Sequence, residues 1–187
     1  MRIIAGRFGG RKLPGRPRSG TRPTTDRVRE AVASVLAARS LIGGARVLDL
    51  FAGSGAVGLE LLSRGAQVLV AVDRDVRALE HNVAALGVAS EVRIVRADLW
   101  NAQASLVGRI QAVAGAQPFS LLFADPPYAD LTRLPKLIGG LAGSVAPDAV
   151  LVVEHREGKP LPELPGWAVA RSYRYGDTAI ALLTAIA

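Results

Sequence analysis

The 187-residue sequence predicts an α/β fold: a mostly parallel sheet with helices on both faces and an antiparallel ending. Three observations carry this expectation. From residue 46 onward, apolar strand-like runs alternate with helical stretches, the pattern of parallel strands covered on both faces. The first of these strands runs into a glycine-rich turn that opens a helix. The last two runs, 168–174 and 178–185, are separated by YGDT, and strands joined by so short a turn must be antiparallel.

Taken in order, residues 1–23 hold five glycines, three prolines and seven basic side chains. They read as a basic arm or exposed hairpin, with RIIAG and GRKLP as short strands around Gly9-Gly10. Thr24, Thr25 and Asp26 are N-cap candidates for a helix running to about Arg39, the start of a domain over 24–187. Its Val28, Val32, Val35 and Leu36 share one face, which leaves Arg27, Arg29 and Glu30 nearer solvent. Strands are predicted at 46–51, 67–73, 91–96, 119–124 and 149–154, and helices at 56–64, 75–86, 100–113 and 130–142.

Composition narrows the chemistry. The chain has no cysteine, so disulfides, thiolate zinc sites, iron–sulfur clusters and cysteine nucleophiles are excluded. With only His81 and His155, a histidine-rich metal centre is not expected, and both read as ordinary surface or edge residues. No apolar run approaches about 18 residues and the N-terminus lacks an apolar core, so a cytoplasmic protein without a membrane partner is the expectation. The net charge of +7 is concentrated at one end: residues 1–40 hold ten Lys or Arg against two acids. The remaining 147 residues carry −1, so the excess charge is the footprint of a polyanion binder.

The segment VLDLFAGSGAVGLELL matches G-x-G-x-x-G at Gly53, Gly55 and Gly58. Glycine lets the backbone turn tightly and lets a ligand approach the helix N-terminus. Asp73 ends the second strand, where a carboxylate is placed to accept from ribose hydroxyls. A nicotinamide dinucleotide and S-adenosylmethionine compete for such a site. Asp49, inside the first strand, favours the second, because a carboxylate repels a pyrophosphate and attracts a sulfonium and an ammonium. Asp98, after the third strand, is placed either to accept from the adenine amine or to cap the helix that follows.

Asp125-Pro126-Pro127-Tyr128, directly after the strand FSLLFA, is the most specific signal. The nitrogen of an exocyclic amine on a base is a poor nucleophile while its lone pair is delocalised into the ring. Acceptance of both amine protons, by the Asp125 carboxylate and the Pro126 carbonyl, localises that pair. Proline stiffens the turn that aims the carbonyl, and Tyr128 is placed to stack on the base.

These residues resemble class I S-adenosylmethionine-dependent methyltransferases, and more closely the RsmD family of 16S ribosomal RNA guanine-N2 methyltransferases. The resemblance runs through RIIAGRFGGRKL, RPTTDRVREAVASVL, VLDLFAGSGAVGLELLSRGA, VDRD, RADLW, DPPY and YGDTAIALL. It implies a Rossmann-like seven-stranded sheet with its last strand antiparallel, and a cofactor pocket from Asp49, Phe51, Gly53, Ser54, Gly55, Asp73, Asp98 and Leu99. It places Arg22, Thr24 and Thr25 near the methionine end of the cofactor, and the guanine against Asp125, Pro126, Pro127 and Tyr128. The basic arm, with Arg2, Arg7, Arg11, Lys12, Arg16 and Arg18, would grip RNA. The implied substrate is a specific guanine, 966 in the family's naming, of 16S rRNA in an assembled or nearly assembled 30S subunit, with the enzyme acting as a monomer. A methyltransferase of the same class acting on adenine N6, and a non-catalytic ribosome-assembly factor, are the alternatives; the second predicts loss of the glycine turn, Asp73 or DPPY, all of which are present.

Of the remaining residues, Glu154 ends the fifth strand near the same edge, either in the site or as a strand end. Tyr173 and Tyr175 read as hairpin packing or as stacking groups for RNA, and Trp100 and Trp167 as core or pocket wall.

Overall fold

In the computed structural model the described residues are 1–15, 25–101 and 103–186, without the side chains of Gln103 and Ala104. Arg16, Arg18, Arg22 and Thr24 lie outside them. The chain order is α1 (Asp26–Ala38), β1 (Arg46–Leu50), α2 (Ala56–Ser63), β2 (Val68–Asp73), α3 (Arg77–Leu86), β3 (Val92–Arg96), α4 (Gln103–Ala114) and β4 (Phe119–Ala124). There follow a 3₁₀ turn (Tyr128–Arg133), α5 (Leu134–Gly140), β5 (Val145–Arg156), β6 (Trp167–Tyr175) and β7 (Thr178–Ala185).

The strands form one seven-stranded sheet in the order β3-β2-β1-β4-β5-β7-β6. β1 to β5 are parallel, while β7 runs antiparallel to both β5 and β6. Reversal of strand order beside β1 opens a crevice at the carboxyl ends of β1 and β4, where open α/β sheets bind ligands. Successive strand residues bury opposite faces of the sheet. Val47, Leu69, Leu121 and Val152 pack under α1, α2 and α3; Leu48, Val70, Leu122 and Val153 pack under α4 and α5. Among the described residues no helix is long and apolar enough to cross a membrane.

The predicted elements shift where turn chemistry intervenes. The helix expected from residue 100 begins at Gln103, because Asp98 accepts from Trp100 N (2.9 Å) and Asn101 Nδ2 (3.0 Å) and holds 98–101 as a turn. The helix expected from residue 75 begins at Arg77, after Asp73 Oδ1 has taken the Asp75 N–H at 2.9 Å. The run 130–142 divides into the 3₁₀ turn, α5 and a short second 3₁₀ turn. Pro135 sits in the first turn of α5, where its missing N–H costs nothing.

In α1 one expectation is overturned. Arg29, read as nearer solvent, is 1% exposed. Its Nη2 donates to Arg2 O at 2.6 Å, its Nη1 lies 3.2 Å from Asp26 and its Nε 3.9 Å from the fully buried Glu60. Helical periodicity did not show this, since Glu60 comes from α2 and Arg2 from the N-terminal segment folded back over α1 and α2.

That segment is a hairpin bridged at Arg2 and Lys12, and it packs on the body. Ile3 and Leu13 are buried in the core under α1, α2 and α3. Glu60 accepts from Ile4 N (2.7 Å) and Ala5 N (3.0 Å), and Ser63 Oγ accepts from Phe8 N (3.0 Å). Thr25 caps α1, its hydroxyl accepting from Val28 N at 3.3 Å. At the far end of the sheet, Tyr173 and Tyr175 pack partly buried against the core and Trp167 packs against the opposite layer.

Candidate active site

A cavity of about 940 Å³ opens over the carboxyl ends of the parallel strands. Its wall contains Asp49, Phe51, Gly53 and Ser54 from the first turn, Asp73 from β2, Asp98 and Leu99 after β3, and all four residues of DPPY after β4. Residues some 75 positions apart in the sequence therefore face one space.

The glycine turn is held by its own acids. Asp73 Oδ2 accepts from Gly53 N at 2.8 Å, tying the turn to the end of β2. Asp49 Oδ2 accepts from Gly58 N at 3.1 Å. A Cβ on Gly58 would lie 2.8 Å from that same oxygen, so only glycine lets α2 approach the carboxylate. Gly55 is absent from the wall; it opens α2 at φ +75°, and a Cβ there would meet Leu79 Cδ1 at 2.3 Å. Its task is to seat the turn on α3.

Asp49 is the group that most calls for a ligand. It is 1% exposed, and burial pushes its carboxyl up to about 7; the Gly58 N–H opposes the rise and the Asp73 charge adds to it. A buried carboxylate so placed is relieved by a cation in the cavity. With Asp73 and Asp98 as further acceptors, the donor set fits a nucleoside bearing a cationic tail. It does not fit a pyrophosphate.

On the other side, Asp125 N donates to Leu50 O at 3.4 Å, which carries the β1–β4 ladder one residue into the motif. Asp130 N donates to Pro127 O at 2.8 Å and closes the 3₁₀ turn behind Tyr128, which is 36% exposed. Two aromatic contacts meet at Trp100, and the second joins the two sides. Phe51, held at φ +64°, packs on Trp100 with ring centroids 4.9 Å apart. The Arg133 guanidinium sits 4.6 Å over the Trp100 ring and donates to Trp100 O at 3.3 Å.

Sequence reasoning did not identify several lining groups: Met1, Pro14 and Gly15 from the hairpin, Phe123 from β4, and Arg77. Nor did it find the role of Asn82, which is fully buried. Its Oδ1 accepts from Gly15 N (2.7 Å), and its Nδ2 donates to Gly15 O (3.2 Å) and Ser54 O (2.9 Å), joining the hairpin to the glycine turn. No local pattern marks a contact across 67 residues. His81 reaches the wall as an exposed residue of α3, but His155, expected at the surface or an edge, is instead buried in β5, between β4 and β7, with Nδ1 3.2 Å from the Arg156 carbonyl.

Among the arm residues expected to meet RNA, Arg2, Arg7, Arg11 and Lys12 are exposed. Two of them also serve the fold: Arg7 pairs with Glu91, and Arg11 donates to Leu86 O (3.1 Å) and Ala85 O (2.6 Å) at the end of α3. Both guanidiniums lie over the Phe8 ring, at 4.5 and 5.6 Å.

The sheet order, with its antiparallel β7 between β5 and β6, and the acid-lined crevice beside β1 define the class: a class I methyltransferase. Residues 1–184 match the family described as Conserved hypothetical protein 95, and the chain belongs to it, the RsmD family. The chain is 39% identical over 188 residues to Ribosomal RNA small subunit methyltransferase D of Escherichia coli K12, covering 97% of this chain and 88% of the relative. It is 35% identical to the putative rRNA methyltransferase YlbH of Bacillus subtilis, with 97% of each covered. The solved structure of the putative methyltransferase yhhF from Escherichia coli superposes with a TM-score of 0.79 at 36% identity, covering 99% of this chain and 97% of that one.

Proposed function

We propose that the protein transfers a methyl group from S-adenosylmethionine to the exocyclic N2 of one guanine in 16S rRNA, within an assembled or nearly assembled small subunit. The observation that carries this reading is the single cavity in which Asp49, Asp73 and Asp98 meet Asp125, Pro126, Pro127 and Tyr128. The Escherichia coli relative, Ribosomal RNA small subunit methyltransferase D, supports the RNA and the subunit.

S-adenosylmethionine supplies an electrophilic methyl group, whose bond to sulfur breaks as the bond to the amine nitrogen forms. Asp49 faces the cationic end of the cofactor, Asp73 accepts from the ribose and Asp98 from the adenine. Phe51 and Leu99 contribute apolar wall. The resemblance assigns Arg22, Thr24 and Thr25 to the methionine end; of these, Thr25 caps α1 and is not among the residues lining the cavity. Asp125 and the Pro126 carbonyl accept the two N2 protons, which localises the nitrogen lone pair, and Asp125 takes the proton released as the new bond forms. Tyr128 stacks on the guanine and fixes its approach, so positioning does much of the work. A paired target must first be splayed out of its stack.

The exposed Arg2 and Lys12, with Arg7 and Arg11 beside Phe8, form the grip on the RNA backbone, extended by Arg16 and Arg18. Incubation with labelled S-adenosylmethionine and small subunits from cells lacking the enzyme, followed by nucleoside analysis, tests the reading. Label in N2-methylguanosine is expected. No label, or label on adenosine, overturns it.

A further inference from the structure

The reaction described above gives no task to a second buried carboxylate beside the base loop. Glu154 ends the apolar stretch of β5, is 4% exposed and lines the cavity. The parallel register pairs Phe123 with Val152 and Ala124 with Val153, so the next pair along is Asp125 with Glu154. Paired residues of neighbouring strands share a face, and the face alternates along each strand. Asp125 and Glu154 therefore continue the row of Asp49 and Phe123, two positions further toward the mouth. The two acids thus occupy neighbouring register positions, Asp125 one residue past β4 and Glu154 two residues before the end of β5.

The chemistry of purines gives that pair a meaning. Guanine presents two adjacent donors on its Watson–Crick edge, N1–H and the N2 amine. Adenine presents an amine beside N1 as an acceptor, and 2-aminopurine likewise has the amine but no proton on N1. One carboxylate on the amine and another on N1 thus accept guanine and repel the other two. We propose that Glu154 is the specificity-determining group of this site, its carboxylate accepting the N1–H of the target guanine while Asp125 holds N2. Glu154 already takes part in an interaction within the chain; a carboxylate offers about four lone-pair sites, enough to serve the chain and the base together. This inference rests on the guanine-N2 reading above.

The test compares small subunits reconstituted with guanine or with 2-aminopurine at the target position. The wild type is expected to prefer guanine by about 100-fold in kcat/KM, the scale of one well-made base contact. In Glu154→Gln the amide can donate to a bare N1, so the preference falls below about fivefold, while the Kd of S-adenosylhomocysteine stays within about twofold. The intrinsic reactivities of the two amines cancel in this ratio of ratios. An unchanged preference in the variant, or a wild type indifferent to 2-aminopurine, overturns the proposal. If Glu154→Gln does not fold, Glu154→Ala is read in the same ratio of ratios, and there too the preference is expected to fall below about fivefold. Failure of the wild type to methylate guanine at all removes the parent reading, and this one with it.

Discussion

The two halves of the cavity hold their functional groups by different means. On the cofactor side each acid accepts a neighbouring backbone N–H: Asp49 from Gly58 in the first turn of α2, Asp73 from Gly53 and Asp75, Asp98 from Trp100. The turns around the cofactor side are thus shaped by the carboxylates themselves. On the base side the motif is stiffened by two prolines, by one extra ladder bond from Asp125 N and by Arg133 laid over Trp100. The cofactor side is built from inside, the base side propped from outside. The contrast implies that binding and chemistry can be damaged separately.

The sharpest separation is Asp125→Ala. Methyl transfer is expected to fall by about 10²–10⁴-fold, the usual contribution of a positioned proton acceptor, while S-adenosylhomocysteine titrated calorimetrically binds as before. Equal loss of both would erase the distinction between the halves.

Asp49 should show the reverse. Its carboxyl is raised from 3.8 to about 7 in the ligand-free fold, so between these values the folded state holds a proton that the unfolded chain releases. Its contribution to stability is therefore lost as pH rises from about 4 to about 7, by at most about 4 kcal/mol. The melting temperature of the wild type relative to Asp49→Asn should fall across that window. Cofactor binding should run the opposite way, strengthening toward pH 8 as Asp49 ionises against a cationic ligand, with a flat profile in the asparagine variant.

Asn82→Ala removes three hydrogen bonds and leaves Gly15 and Ser54 groups without this partner. We expect about 2–3 kcal/mol lost in denaturant unfolding. Faster amide exchange at Gly15, together with weaker cofactor binding, would show that the hairpin braces the cofactor side. The smallest effect is Arg133→Ala, about 0.5–1 kcal/mol for an exposed cation–π contact. It should appear as a several-fold drop in kcat/KM with little change in melting temperature. A larger loss in cofactor affinity than in turnover would place Arg133 with the other half.

Much of this was legible in the chain. The seven strands fell close to their predicted positions because apolar runs bounded by Gly, Pro and Asp report local propensity and burial together. The cavity acids were legible because each lies at or within two residues of the carboxyl end of a parallel strand, and those ends share one edge. Arg29, Glu60 and Asn82 were not. Each is a polar residue buried by a partner distant in sequence, and nothing within a helical turn of it betrays that partner. The arm shows the same limit from the other side: it read as a basic arm or exposed hairpin, and Ile3 and Leu13 anchor it in the core.

By itself, then, the sequence determined the alternation of strand and helix, the glycine turn, the acids beside it and the DPPY loop, because these depend on residues within a few positions of one another. Only the tertiary structure decided which polar groups are buried, that the N-terminal hairpin walls the cavity, and that Asp125 and Glu154 stand in one register. Those outcomes depend on strand order and on packing between distant segments, where desolvation and long-range hydrogen bonds set the energy and no short pattern records them.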